Sequence, residues 1–153
     1  MIEIKSALAA ILVTIGLVSV PVAAQANGTS ASPNGNYSVD GVSFYNYALV
    51  QTSNGFATGY TYSAPVSKCV IAGGIAVQAR LIQNYQQSAE VLVSSSAMSY
   101  SDRTLCGAQT WRTSASYAGK GNFYSKGISW AFNYSNYAYE GFETFPTGMQ
   151  TAN

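Results

Sequence analysis

Between Cys69 and Ile82 the chain reads Cys-Val-Ile-Ala-Gly-Gly-Ile-Ala-Val-Gln-Ala-Arg-Leu-Ile. Ile75, Val77, Ala79 and Leu81 fall on one side and Ala76, Gln78, Arg80 and Ile82 on the other, the period-two pattern of a half-buried strand. A helix is disfavoured, because Gly73-Gly74 would cost roughly 1 kcal/mol per glycine in its interior and the β-branched residues suit a pleated surface. The strand begins beside a cysteine whose only intrachain partner is Cys106. A central strand tied to a distant point of the chain is therefore the constraint that the other segments must satisfy.

Whether that tie forms depends on the compartment. The chain opens on Met1-Ile-Glu-Ile-Lys5, continues through an apolar run from Ala7 to Val20, and reaches Pro21-Val-Ala-Ala-Gln-Ala26. A short charged start, an apolar stretch too short to span a bilayer and small residues at alternate positions form the pattern of a secretory signal peptide over residues 1–26. Cleavage is expected after Ala26, with Ala24 as the alternative. No stable membrane span is expected once this segment is removed. Two cysteines in an exported chain point to a disulfide, Cys69–Cys106. In the chain-entropy model, closing a loop of that size stabilises by roughly 4 kcal/mol.

Past the signal, residues 27–41 are mostly Gly, Ser, Asn, Thr and Pro with one tyrosine, which reads as a flexible spacer. A single β domain is expected over residues 42–153, a length suited to one core. Val42–Val50 and Phe56–Tyr62 flank Ser53-Asn54-Gly55 and form a first hairpin, since Asn-Gly tolerates the positive φ of a tight turn. Pro65 ends it. A second hairpin joins the central strand to Glu90–Ser95, and a strand around Trp111 follows Gly107. The most aromatic strand runs from Phe123 to Phe132, with Tyr124, Ile128, Trp130 and Phe132 on one parity and Lys126 interrupting that face, so a bulge is expected near Gly127. Tyr134-Ser-Asn136 turns the chain into Tyr137–Phe145, which Pro146 stops. The expected fold is all-β: a single antiparallel sandwich, or a small barrel, of about seven strands with one disulfide.

Along Ile75-Ala-Val-Gln-Ala-Arg-Leu81, Ser94-Ser-Ser96, Tyr100-Ser101, Phe123-Tyr-Ser-Lys-Gly127 and Ala131-Phe-Asn133 the chain resembles a loose group of small exported bacterial proteins. In that group a strand ending in Ala-Arg-Leu leads to a serine run and then to a Tyr-Ser-x-Gly strand. The resemblance implies an exported β domain and carries over no functional residue. From Tyr124-Ser to Ser135-Asn-Tyr137 the chain is also similar to secreted β-sandwich bacteriocins of the lactococcin 972 type.

The chemistry is limited by what is missing. There is no histidine in the chain, so Ser-His-Asp and Cys-His arrangements cannot be built and the commonest metal ligand is absent. No metal site, cofactor or catalytic residue is expected. The formal net charge is +1 with no cluster of one sign, which argues against a nucleic-acid partner. Glu140 and Glu143, with Glu90, are the one set able to do acid and base work, yet residues three apart on a strand point to opposite faces.

Trp111 and Trp130 are read as core, because large aromatics dominate β cores. Tyr134, Tyr137 and Tyr139, near a turn, are the candidate binding surface. The expected function is an exported, non-catalytic binding or interaction module that meets a cell-surface glycan or protein at a cell envelope, secreted or held at the surface. A bacteriocin-like antagonist and a carboxylate-pair hydrolase are the alternatives.

Overall fold

The computed structural model describes residues 28–85 and 89–153. The expected signal peptide and its cleavage site lie outside the described residues. The strands in chain order are β1 (Gly28–Ala31), β2 (Gly35–Val39), β3 (Val42–Ser53), β4 (Phe56–Pro65), β5 (Ile75–Gln78), β6 (Arg80–Tyr85) and β7 (Ala89–Ser95). They continue as β8 (Ser99–Tyr100), β9 (Trp111–Ala118), β10 (Gly121–Ser125), β11 (Ile128–Asn133), β12 (Ala138–Glu143) and β13 (Gln150–Ala152). All pairings among them are antiparallel.

One layer has the order β1-β3-β4-β9, with β2 also pairing β3. The expected hairpin is its centre: β3 and β4 are joined by Asn54-Gly55, with Ser53 opposite Phe56 and Gly55 at φ 68°. Two smaller sheets, β13-β10-β6-β7 and β12-β11-β5-β8, face it. These two are halves of one bent layer. Only Ala79 separates β5 from β6, and only Lys126-Gly127 separates β10 from β11. β5 pairs β11 while β6 pairs β10, so the two long strands bend together. The result is a sandwich rather than a closed barrel. The elements outnumber the seven expected because each long strand is cut at its bend and because strands form at both ends of the chain.

The N-terminal strands correct the spacer expectation. Gly28–Ala31 pairs Leu49–Thr52, and Gly35–Val39 pairs Val42–Asn46. The composition is poor in apolar residues, but Tyr37 and Val39 reach the core, and β3 offers an edge on which short polar strands satisfy their backbone groups.

Parity along the central strand is as the sequence implies: Ile75, Val77, Ala79 and Leu81 are all buried. Ile75 and Val77 belong to one cluster and Leu81 to a second. Val39, Phe44, Val70, Ile75, Val77, Leu105 and Ala131 form one, and Val50, Ala57, Leu81, Phe123 and Ala152 the other. Between them, at the bend, the interior is small and polar: Asn46, Thr61, Ser63, Ser125 and Ser129 are buried there. The layers come so close that a Cβ added at Gly127 would overlap Thr61 Oγ1 of the opposite layer, and one added at Gly59 would lie 2.7 Å from Ser125 Oγ. Most polar groups at such a seam bond one another, although Asn46 Oδ1 and Thr61 Oγ1 have no hydrogen-bond partner among the described residues. Asn46 Nδ2 donates to Ser129 Oγ at 2.7 Å, and the Tyr37 and Ser63 hydroxyls bond at 2.8 Å.

Cys69 and Cys106 are joined, with Cα atoms 4.2 Å apart. Their neighbours Val70 and Leu105 exchange two backbone hydrogen bonds of 2.8 Å and pack into the first cluster. The disulfide therefore clamps a loop whose inner side is already held by core residues. Gly107 serves this junction through its φ of 47° rather than by close approach, since an added Cβ there would meet nothing within 4 Å.

Candidate functional site: an aromatic depression at one end of the bent layer

The burial of β11 decides what faces solvent. Ser129 and Ala131 are buried, so Ile128, Trp130 and Phe132 point outward. In register across from them on β12 stand Glu143, Gly141 and Tyr139. Trp130 is thus not a core residue, contrary to the sequence reading. Its indole covers Gly141, where an added Cβ would come 2.7 Å from Nε1. Trp111 does pack against the first cluster, and its Nε1 donates to the Ser99 carbonyl at 3.1 Å.

Beyond Phe132 the chain turns through Tyr134–Tyr137. Asn133 Oδ1 accepts from the Ser135 amide at 2.8 Å, Asn136 Oδ1 accepts from the Ala138 amide at 3.1 Å, and the Ser135 hydroxyl donates to Asp40 at 2.6 Å. These bonds hold Tyr137 at φ 54°, a conformation that a bulky residue adopts only when its surroundings impose it. The ring that results is 82% exposed.

The three tyrosines named from the sequence meet around Phe132. Its ring centroid lies 5.0 Å from those of Tyr134 and Tyr139 and 6.5 Å from that of Tyr137, all edge to face. Tyr139 also meets Tyr100 edge to face at 5.5 Å and donates its hydroxyl proton to the Gly73 carbonyl. Burial pushes the Tyr139 phenol above its ordinary value, with Tyr100 and Tyr134 adding to the shift, so at neutral pH it is a hydrogen-bond donor. Together Ile71, Ala72, Gly73, Gly74, Phe132, Tyr134 and Tyr139 line a depression of about 210 Å³. Phe132, Tyr100 and the Ile71–Gly74 loop were not singled out from sequence. Gly73-Gly74 is the one sequence signal for that loop, whereas the outward direction of Phe132 follows only from the burial of Ser129 and Ala131.

A second aromatic face is built differently. On the outer side of the β3–β4 hairpin, Tyr47 and Tyr62 stack at 4.5 Å with planes 3° apart, and the Arg112 guanidinium sits over Tyr60 and Tyr62 at 5.8 and 5.9 Å. These rings spend their faces on one another, as a cross-strand ladder does. The rings at the Phe132 end meet edge to face and leave surface open.

The carboxylates are divided between faces. Glu140 lies on the inner side and accepts from Asn133 Nδ2 at 2.6 Å, whereas Glu143 lies on the outer side with Lys126 Nζ at 2.6 Å. The Lys126 ammonium holds the Glu143 carboxyl below the ordinary carboxylate range. Glu90 stands elsewhere, beside Tyr124. Among the described residues no group of three or more His, Cys, Asp or Glu is placed to hold a metal ion, and no helix is long and apolar enough to cross a membrane. No family model matches the chain, and no curated protein or solved structure is significantly similar to it.

Proposed function

We propose that this protein is an exported, non-catalytic binding module that works at a cell envelope, and that it holds its partner, a glycan or surface protein, at the aromatic depression around Phe132. The observation that carries this reading is the exposure of large apolar side chains at one place: Ile71 at 59% and Tyr134 at 42% line the depression, and Tyr100 at 49% and Tyr137 at 82% meet its lining rings Tyr139 and Phe132. Contiguous exposed apolar surface with a polar rim marks an interaction site. Aromatic rings with a hydroxyl tip suit a surface that is apolar in the dry state of the complex and wet at its border. The signal-like start and the Cys69–Cys106 bridge support export. The absence of histidine from the chain and the opposed directions of Glu140 and Glu143 favour binding over turnover.

Glycan-array screening and pull-down with the exported protein test this reading. Tyr137→Ala leaves the core untouched, and as an exposed aromatic beside the depression it is expected to weaken binding about 30-fold, the size of a 2 kcal/mol hot spot. Tyr139→Ala is expected to do the same with loss of the bond to Gly73. Binding that survives both changes at full strength places the site elsewhere.

A further inference from the structure

The aromatic depression is one end of a longer outer face. Along β10 and β11 the outward residues are Tyr124, Lys126, Ile128, Trp130 and Phe132, and on the neighbouring β6 Ile82 stands opposite both Tyr124 and Leu92. At the bend this face contains a hollow of about 340 Å³ lined by Gln78, Arg80, Ile82, Leu92, Ser95 and Lys126. Two cations and two aliphatic side chains line it, and no carboxylate does. Their nearest acid is Glu143, at the rim. Lys126 engages it closely at 2.6 Å, but Arg80 Nη1 remains 3.7 Å away, beyond hydrogen-bond distance. The Arg80 side chain is 33% exposed, and among the described residues its guanidinium donates no hydrogen bond within the protein.

We propose that the hollow seats the carboxylate of an acidic polysaccharide, with Arg80 and Lys126 holding the acid group and the indole of Trp130 taking the face of a nearby sugar ring. This inference rests on the reading of the protein as a binding module but assigns a different site and a ligand class. Two cations shared with one carboxylate leave one positive charge, which a monoanionic carboxylate balances, whereas a phosphate of charge near −2 would be repelled by Glu143. A guanidinium with free donors matches a carboxylate in two-point geometry. A sugar is favoured over an extended acidic peptide by position. Peptides add to sheet edges through unpaired backbone groups, whereas Arg80 and Trp130 stand on inner strands, and Lys126 joins two inner strands, whose partners are already in place on both sides. Trp130 lies against Gly141 on this outward face and remains partly exposed. Lys126 and Trp130 are four residues apart, at most about 13 Å at ~3.3 Å per extended residue, which suits a polymer rather than a single sugar.

Titration calorimetry of the exported protein with polygalacturonate, its methyl ester, a neutral galactan and polyphosphate tests this. Polygalacturonate is expected to bind and to weaken with added salt, with the ester and the galactan at least tenfold weaker. Arg80→Gln and Lys126→Gln are each expected to lower affinity at least tenfold with an unchanged circular dichroism spectrum. Glu143→Gln is expected to raise it severalfold by removing the internal competitor, a direction that a merely structural salt bridge would not produce. Equal binding of the ester or of polyphosphate, or full affinity in Arg80→Gln, overturns the proposal. If Tyr137→Ala abolishes binding of a ligand that Arg80→Gln still holds, the aromatic depression stands and this site falls. The reverse result leaves this site standing without the depression.

Discussion

Tyr124 shows how one side chain carries a pH dependence. It sits half-buried beside Glu90, and burial, followed by the hydrogen bond and charge of that carboxylate, pushes its phenol from 10.0 up to about 12. The folded chain thus holds the phenolic proton more tightly than the unfolded one. Stability is unaffected below pH 10 and falls as the pH rises from there toward 12. Urea midpoints at pH 8 and pH 11 measure this fall, and Tyr124→Phe is expected to reduce it. It will not abolish the fall, because Tyr37, Tyr47 and Tyr139 are also raised by burial. An alkaline loss identical in Tyr124→Phe and wild type would show that the Glu90 neighbourhood does not act on this phenol.

Among the elements, β2 most clearly separates local composition from tertiary role. Its sequence Gly-Asn-Tyr-Ser-Val has little to bury, yet Tyr37 stacks on Phe142 at 4.1 Å and on Phe44 at 5.2 Å and bonds Ser63 inside the sandwich. It closes the side of the first cluster where the edge strand β12 would otherwise leave the core open. Tyr37→Ala is expected to cost about 3–5 kcal/mol in chemical denaturation, the range for deleting a buried aromatic. A tyrosine in a flexible spacer would cost nothing, so a change within about 0.5 kcal/mol would restore the spacer reading.

The whole molecule has two apolar clusters and a polar seam, and still has the connectivity of one cooperative unit. β3 contributes Phe44 to one cluster and Val50 to the other, and the bent strands β5–β6 and β10–β11 cross the seam as pairs. Leu81→Ala in the second cluster is expected to lose about 2–5 kcal/mol and to move the unfolding transition reported by the fluorescence of Trp111, which packs on the first. A variant with two separated transitions, the tryptophan signal keeping its wild-type midpoint, would mean that the halves unfold independently.

Period-two alternation over Val42–Tyr62 and Ile75–Leu81, Asn54-Gly55, and a lone pair of cysteines were enough to define an antiparallel β domain with one bridge, because strand parity, tight turns and disulfide pairing are local or arithmetic properties. The clustering of Tyr134, Tyr137 and Tyr139 followed from their nearness to one turn. Which face of β11 is the core was decided elsewhere. Ser125, Ser129 and Ala131 point inward because the opposing layer at the bend leaves room only for small side chains, so the larger Trp130 and Phe132 are left outside. Hydrophobicity alone assigns the opposite sides. The meeting of Arg80 with Lys126, and of Gly73 with Tyr139, depends on register between strands far apart in sequence, and no local pattern encodes that register.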